Sequence, residues 1–538
     1  MVQKSIILVI FWLPQAIRQL LIWIYWIQIK EYRFDRFRLF FSSISGRNNT
    51  EVNIIVFKIA TLILALILRE SQNALILLFT LFDLSVLIDI KKETLRKPVF
   101  TQRAKRIFIT ALLIALLPPM FGFITGELGT LHFIFAEILL VISPFAGVLW
   151  TQPIVQKIKS EEIKIAKEKI SKVSPIVIGI TGSYGKSSTK EFVAQILSKK
   201  YEVLKTTGNE NTEFGIARKI RDFLEKSTEF FVAEMGAYKQ GEIKKLTAIV
   251  KPSVAIITGI EEQHLSLFGN LENIKKTKFE LIEALPPDGI AIFNLSNAYC
   301  LELAERAREL STHVKVLGYY VAREKKDNRF KDADIVSRVI SADTHSIKIK
   351  VHFNEDEKTI KTSLTGLHFI ENITAAILVA RLFKVSWKDI KKACGNIKLP
   401  EKTMSVSKLE SGVILIDDTH NSTPRAFESA LEYLSLFKDK RKVVITSGII
   451  ELGAKSDEIH ERLAKMMSNS VEKVFLTNPD ALTSFKKGLG VNSNKLVFSN
   501  DREELSLKIQ KELDQKNGVI LLEGRIPLIL FKDTDLKI

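Results

Sequence analysis

The sequence predicts a transmembrane α-helical bundle followed by two α/β domains with mostly parallel sheets. Three observations carry this expectation. Charge is unevenly spread: residues 1–150 hold 16 Lys and Arg, 9 Asp and Glu, and four of the five Trp. Five apolar stretches fall within those same residues. Beyond them, short apolar runs alternate with amphipathic helical patterns, as βα units on a parallel sheet require. The net charge of +17 therefore averages two unlike parts. This excludes a wholly soluble protein, a disordered chain and a collagen-like one. Cys300 and Cys394 are the only cysteines, which excludes a disulfide framework and a four-cysteine zinc ribbon.

The apolar stretches run over residues 5–28, 53–68, 74–90, 107–125 and 130–150. A bilayer core needs about 20 apolar residues per helix, with about 17 as the lower bound. The first stretch carries Pro14 and Arg18, and the second is short and holds Lys58. No small-residue cleavage site follows the first, so an anchor is expected there in place of a signal peptide. Residues 30–47 carry Lys30, Arg33, Arg36, Arg38 and Arg47, and residues 91–106 carry seven basic residues and one acid. With five spans, both basic loops and the whole C-terminal part lie on one side. The excess of Lys and Arg in those loops makes that side the cytoplasm. Asp83 and Glu137 fall inside spans, where a carboxylate is costly. They are expected to face each other or a buried base, with lipid or substrate handling as the alternative. The segment 31–41 (EYRFDRFRLFF) mixes Arg with aromatics and suits anionic headgroups, so no nucleic-acid partner is needed.

From 156 to 174 the chain turns Lys/Glu-rich, the pattern of an amphipathic linker between a bundle at 1–155 and the domains beyond. An apolar run at 176–180 then leads into TGSYGKSS (181–188) and a helical pattern from Lys186 to 199. Strand, glycine turn, Lys-Ser and helix form the setting of a phosphate-binding loop. Gly182 and Gly185 let backbone N–H groups converge with those of Ser183 and Ser188 on phosphate oxygens at a helix N-terminus. Lys186 neutralises the terminal phosphates, and the Ser187 hydroxyl holds Mg²⁺. The general spacing places a further glycine at 180, where Ile180 stands, with Gly179 one position earlier.

Seven further segments follow in order: GNENTEFG (208–215), AEMGAYKQGEI (233–243), QHLSLFG (263–269), KTKFEL (276–281), GLHFIEN (366–372), DDTHNSTP (417–424) and IIELGAKSDEIH (449–460). With the phosphate loop they resemble the Mur ligase family, most closely its D-alanyl-D-alanine-adding members, over about residues 175–538. The resemblance implies a central P-loop ATPase domain at 175–400 and a C-terminal α/β, Rossmann-like ligase domain at 401–538. It implies ATP and Mg²⁺ as cofactors. It also implies a muramoyl-peptide precursor, UDP- or lipid-linked, and D-Ala-D-Ala as substrates of peptidoglycan synthesis. The setting would be the bacterial inner membrane with the ligase domains in the cytoplasm.

The resemblance also implies roles residue by residue. Glu234, at a strand end, and His264 hold Mg²⁺. Lys278 matches a carbamylated lysine, whose conversion from cation to anion would let it serve a metal. Lys186, Lys278 and His264 form the catalytic set. Asn372, one helical turn from His368, contacts the nucleotide, as do Asp418 and Asn421 from beyond the cleft, while His420 is an adenine-edge contact. Helix caps, turns and solvated faces are the plain alternatives for these side chains.

Four departures qualify the resemblance. The bundle occupies the place of the family's uridine-nucleotide-binding domain. Thr403 stands where an arginine is usual, with Lys402 beside it as a substitute. Thr423 replaces a second Asn. A Lys-Gly-Ser-Arg-like element is reduced to LEGRIP, keeping Gly524 and Arg525. Two other readings stay open: a related ligase extending a different amino-acid chain, such as a polyglutamylase, and a degenerate membrane scaffold for other cell-wall enzymes.

Overall fold

The computed structural model describes residues 2–68, 72–91, 95–208, 210–261, 265–310, 314–322, 332–419, 422–450 and 452–531. They form two compact units, 1–160 and 161–538.

The first unit is helical. Ile6–Ile29, Asn73–Lys91, Gln102–Ile124 and Thr130–Val173 contain segments long and apolar enough to cross a membrane, while Val52–Ile67 is shorter. Trp12, Trp23, Leu62, Phe79, Ala111 and Phe133 are buried at its centre. Some of the polar side chains inside it are paired, while the buried amides of Gln15 and Gln19 make no hydrogen bond among the described residues. Arg18 reaches Glu51 (Nη1 to Oε2, 2.6 Å) and Asp89 (Nε to Oδ2, 2.7 Å). Glu137 Oε1 accepts from Trp12 Nε1 at 2.9 Å. Buried Lys58 lies within electrostatic reach of both Glu137 and Asp83, so the carboxylates face a buried base. The last apolar stretch and the expected linker are one helix, Thr130–Val173, with Pro144 and Pro153 inside it. Hydropathy falls near residue 150, but Lys and Glu are good helix formers and continue the helix. Each proline removes one amide donor without ending it.

The second unit holds two sheets. The first has nine strands among the described residues: β1 (Ile176–Thr181), β2 (Val203–Lys205), β3 (Phe230–Glu234), β4 (Val254–Ile257), β5 (Ile290–Asn294), β6 (Lys315–Ala322), β7 (Ile335–Ala342), β8 (Ile347–Phe353) and β9 (Asp356–Thr362). Their order is β2-β3-β1-β4-β5-β6-β7-β8-β9. The pairs up to β6–β7 are parallel, and β7–β8–β9 close the edge as an antiparallel meander. The second sheet comprises β10 (Ser405–Lys408), β11 (Ile414–Asp418), β12 (Arg441–Thr446), β13 (Lys473–Leu476), β14 (Leu496–Val497) and β15 (Gly518–Glu523), in the order β10-β11-β15-β12-β13-β14. It is parallel except for β10.

Strand periodicity splits the core into two layers. Ile178 and Ile180 of β1 and Phe230 and Val232 of β3 face the helices Lys186–Leu197 and Phe369–Leu382. Val177, Phe231 and Ala233 face the helices Glu213–Phe223, Glu242–Val250 and Leu271–Glu283. Alternation with period two is what a strand buried on both faces imposes. β1 lies between β3 and β4, where the chain leaves in opposite directions, and a crevice opens at the strands' carboxyl ends. Phe192 fills the first layer, fully buried 6.1 Å from the Phe369 ring. Phe192→Ala should therefore lower stability by about 3–5 kcal/mol, read from the midpoint of chemical denaturation.

Candidate active site

The turn after β1 is built by two close approaches. Gly182 and Gly185 have φ of +154° and +76°, which side chains disfavour. A Cβ on Gly182 would lie 2.2 Å from Thr258 Oγ1, and one on Gly185 would lie 2.4 Å from Asn372 Nδ2. Neither position has room for a side chain. The displaced glycine has a separate cause. Ile180 is fully buried in the core, and a Cβ on Gly179 would meet Leu281 Cδ1 at 2.8 Å. That departure belongs to strand packing and leaves the turn intact.

Charge is concentrated behind the turn. Lys186 Nζ donates to the carbonyls of Gly182 (2.8 Å) and Ser183 (3.2 Å). Burial pushes its ammonium down, and Glu234 opposes that. Glu234 closes β3 and is 3% exposed. Lys190 Nζ lies 3.1 Å from its Oε2, and Asn211 Nδ2 donates to Oε1 at 3.3 Å. Burial opposes ionisation of Glu234, but Lys190 and Lys186 outweigh it and hold the carboxyl below its usual range. Lys278, on the helix Leu271–Glu283, is 3% exposed. Its Nζ sits 5.8 Å from the Phe268 ring, and it makes no hydrogen bond or ion pair among the described residues. Burial first, then Lys186, push it down to about 7.

The facing wall comes from the helix Phe369–Leu382 and from residues beyond 400. Asn372 Nδ2 donates to Gly185 O (3.2 Å) and Thr189 Oγ1 (3.0 Å). His368 is neutral, pushed down to about 3 by burial and by Arg425. Asp418 ends β11 opposite Glu523, which ends β15. Asp418 Oδ1 accepts from Met404 N at 3.2 Å, and Glu523 Oε1 accepts from Ser422 Oγ at 2.6 Å. Burial first, then the neighbouring carboxylates, push both carboxyls up. Thr423 caps the helix Pro424–Ser435, its hydroxyl accepting from Ala426 N at 3.2 Å. Capping favours Thr at that position. Thr403 faces the cavity and Lys402 is exposed, so Lys402 does not replace the expected arginine. The guanidinium groups on this wall belong to Arg425 and Arg525.

These groups line one cavity of about 190 Å³. Ser183, Gly185, Lys186, Ser187, Ser188, Glu234, Lys278, Asn372 and Asp418 are all on it, and Gly182 supports it from behind. His264, His420 and Asn421 lie outside the described residues. Sequence reasoning passed over Lys190, Glu371, Arg425 and Glu523. Lys190 carried a usable signal, being one helical turn after Lys186. The residues fit a divalent cation. Ser187 offers a hydroxyl with no partner among the described residues, and Glu234 offers an ionised carboxylate. The Lys278 ammonium does not fit as a ligand, because it repels a cation; as a carbamate it does.

Residues 180–380 match the Mur ligase middle domain, and residues 404–526 match the Mur ligase C-terminal (glutamate ligase) domain. The chain belongs to the Mur ligase family. It is similar to the UDP-N-acetylmuramoyl-tripeptide–D-alanyl-D-alanine ligase of Bacillus subtilis, with 28% identity over 319 residues, 58% of this chain and 65% of that protein. The enzyme of the same name from Rickettsia prowazekii is 28% identical over 66% of this chain and 77% of its own length. The chain thus spans 65% of the length of the Bacillus relative. MurF from Thermotoga maritima, solved in complex with ADP, superposes with a TM-score of 0.56 at 27% identity, covering 68% of this chain and 80% of that one. The Mur ligase α/β fold, with its parallel sheets, is shared.

Within this fold Lys190 and Glu234 are a buried pair, and removing one partner leaves the other charge unsolvated. Glu234→Ala should cost about 3–5 kcal/mol of stability. The double variant Glu234→Ala/Lys190→Met should recover much of it. Chemical denaturation of the three proteins checks this, and an unchanged midpoint in the single variant would contradict the pairing.

Proposed function

We propose that this chain is a membrane-anchored, ATP-dependent amide ligase that adds D-alanyl-D-alanine to a muramoyl-peptide precursor in peptidoglycan synthesis. The observation that carries the reading is the shared cavity. In a Mur ligase chain, a phosphate loop, a buried strand-end carboxylate and a wall from residues 401–538 all face it. Joining a carboxylate to an amine is uphill in water. ATP therefore first phosphorylates the carboxylate; the amine then attacks the acyl phosphate and phosphate leaves. Charge develops on the transferring phosphoryl group, so the protein contributes positioning and preplaced cations.

Lys186 leaves its carbonyl contacts for the terminal phosphates, while the turn's N–H groups hold the oxygens between them. Asn372 fixes the turn through Gly185, and Asp418 and Asn421 orient the nucleoside. Ser187, Glu234 and His264 are the residues that hold Mg²⁺, which when bound neutralises phosphate charge. Lys278 joins them as a carbamate. Its ammonium, pushed down to about 7, loses a proton readily; the free amine adds to the carbon of CO₂ and releases a second proton to solvent, leaving the carbamate. Depleting CO₂ should lower turnover and bicarbonate should restore it, whereas Lys278→Ala should stay inactive in both conditions.

Anchoring rests on the first unit. Leu113, Leu117, Phe121 and Ile124 on one helix are 59–72% exposed, an apolar face that water disfavours and acyl chains accept. Read with five spans, although the helix Val52–Ile67 is shorter than the other four, the basic loops support a cytoplasmic side for residues 161–538. A tethered ligase meets a membrane-bound substrate at raised effective concentration, which favours a lipid-linked precursor over the UDP-linked one. The test is phosphate release with D-Ala-D-Ala plus either precursor. Faster turnover on the lipid-linked form is expected, and equal or faster turnover on the UDP-linked form would overturn that choice. Lys186→Ala should abolish turnover with both; retained activity would reject the site. Thr403 facing the cavity favours a second reading, a non-catalytic scaffold, which predicts no turnover on either precursor.

A further inference from the structure

The phosphate loop is gripped twice at one residue, Tyr184, and both grips lead to Arg425. Thr258, fully buried just after β4, donates its hydroxyl to Tyr184 O. The Thr258 carbonyl accepts from Asn294 Nδ2 at 2.8 Å, and the same nitrogen donates to Glu371 Oε2 at 2.8 Å. The other oxygen of Glu371 pairs with Arg425 Nη2. Arg425 belongs to the helix Pro424–Ser435, and its guanidinium carbon returns to lie 5.2 Å over the Tyr184 ring. Asn294 (0% exposed) and Glu371 (5%) are buried, while the Arg425 side chain is 25% exposed. A buried ion pair by itself is weak grounds for a stabilising role. One that closes on both the backbone and the ring of a phosphate-loop residue constrains that loop.

We propose that Arg425 is a positioning residue that sets the nucleotide-binding conformation of the phosphate loop from the C-terminal domain, acting through Glu371 and the Tyr184 ring. The inference rests on the cavity being the ATP site and goes beyond that reading in making the loop's affinity depend on the seating of residues 401–538. Lysine keeps the charge that Glu371 needs but lacks the planar group that stacks on an aromatic face. Gln at 371 keeps an oxygen for Asn294 and loses the charge that holds Arg425.

The test is Mg·ATP affinity of the full chain by calorimetry, with melting temperature recorded for each variant. Arg425→Ala and Glu371→Gln should each weaken binding by about ten-fold, the size of about 1.4 kcal/mol. Arg425→Lys should restore part of the loss. The Arg425→Ala/Glu371→Gln double variant should be no weaker than the worse single one, because the two act on one element. Unchanged affinity in either single variant, multiplying effects in the double, or losses that track melting temperature alone would overturn the proposal. If Arg425→Ala does not fold, Glu371→Gln and Arg425→Lys decide it by the same criteria. Lys186→Ala separates the two levels. If it leaves Mg·ATP binding intact, the site reading fails. If it abolishes binding while Arg425→Ala does not weaken it, only the role of Arg425 fails.

Discussion

Around the phosphate loop, the buried Lys190 and Lys278 and the half-buried Lys186 outnumber the buried carboxylate of Glu234. Lys190 is matched by Glu234 at 3.1 Å. Lys186 has only carbonyl oxygens to bond, and Lys278 has no hydrogen-bonded partner among the described residues. An ammonium out of water is costly unless neutralised or paired, and both unmatched lysines respond by a lowered proton affinity. Such a site is poised for an anion, and the neighbouring features follow from that imbalance. The glycines leave backbone N–H groups open to the same anion, and Asn372 ties the turn to the helix behind it. Lys278 is driven toward neutrality by the same imbalance.

The opposite wall has the inverse problem. Asp418 and Glu523 end adjacent parallel strands, so their carboxyls are forced together by register. Like charges cannot both persist there, and burial raises both. Asp418 directs its Oδ1 at Met404 N, and Glu523 directs its Oε1 at Ser422 Oγ. Arg425 and Arg525 add positive charge to the same wall, which is why Thr403 does not leave it without a cation.

Much of this was legible in sequence because it is local. The phosphate loop declares itself within a few residues, since strand, turn and helix start are contiguous and glycine has a backbone reason at 182 and 185. Glu234 and Asp418 were legible as strand ends. What escaped was set by contacts between residues far apart in sequence. Glu371 and Arg425 are separated by 54 positions and Ser422 and Glu523 by 101, and no local periodicity encodes such pairs. The antiparallel meander β7–β9 was hidden because alternating strands read alike in either direction. The Lys/Glu-rich segment 156–174 reads as helical in sequence, and the structure runs it on from the apolar stretch as one helix, Thr130–Val173.

The helix Thr130–Val173 shows how two kinds of solvent are served by one element. Its apolar first half and its Lys/Glu-rich second half have the same backbone hydrogen bonding, so the change from lipid-compatible to water-compatible surface costs no cap and no turn. At its end, Ala166 and Ile170 are buried in the core of the second unit, and Lys169 Nζ bonds Arg221 O at 2.7 Å. Residues 161–173 are therefore a packed part of the second unit's own core.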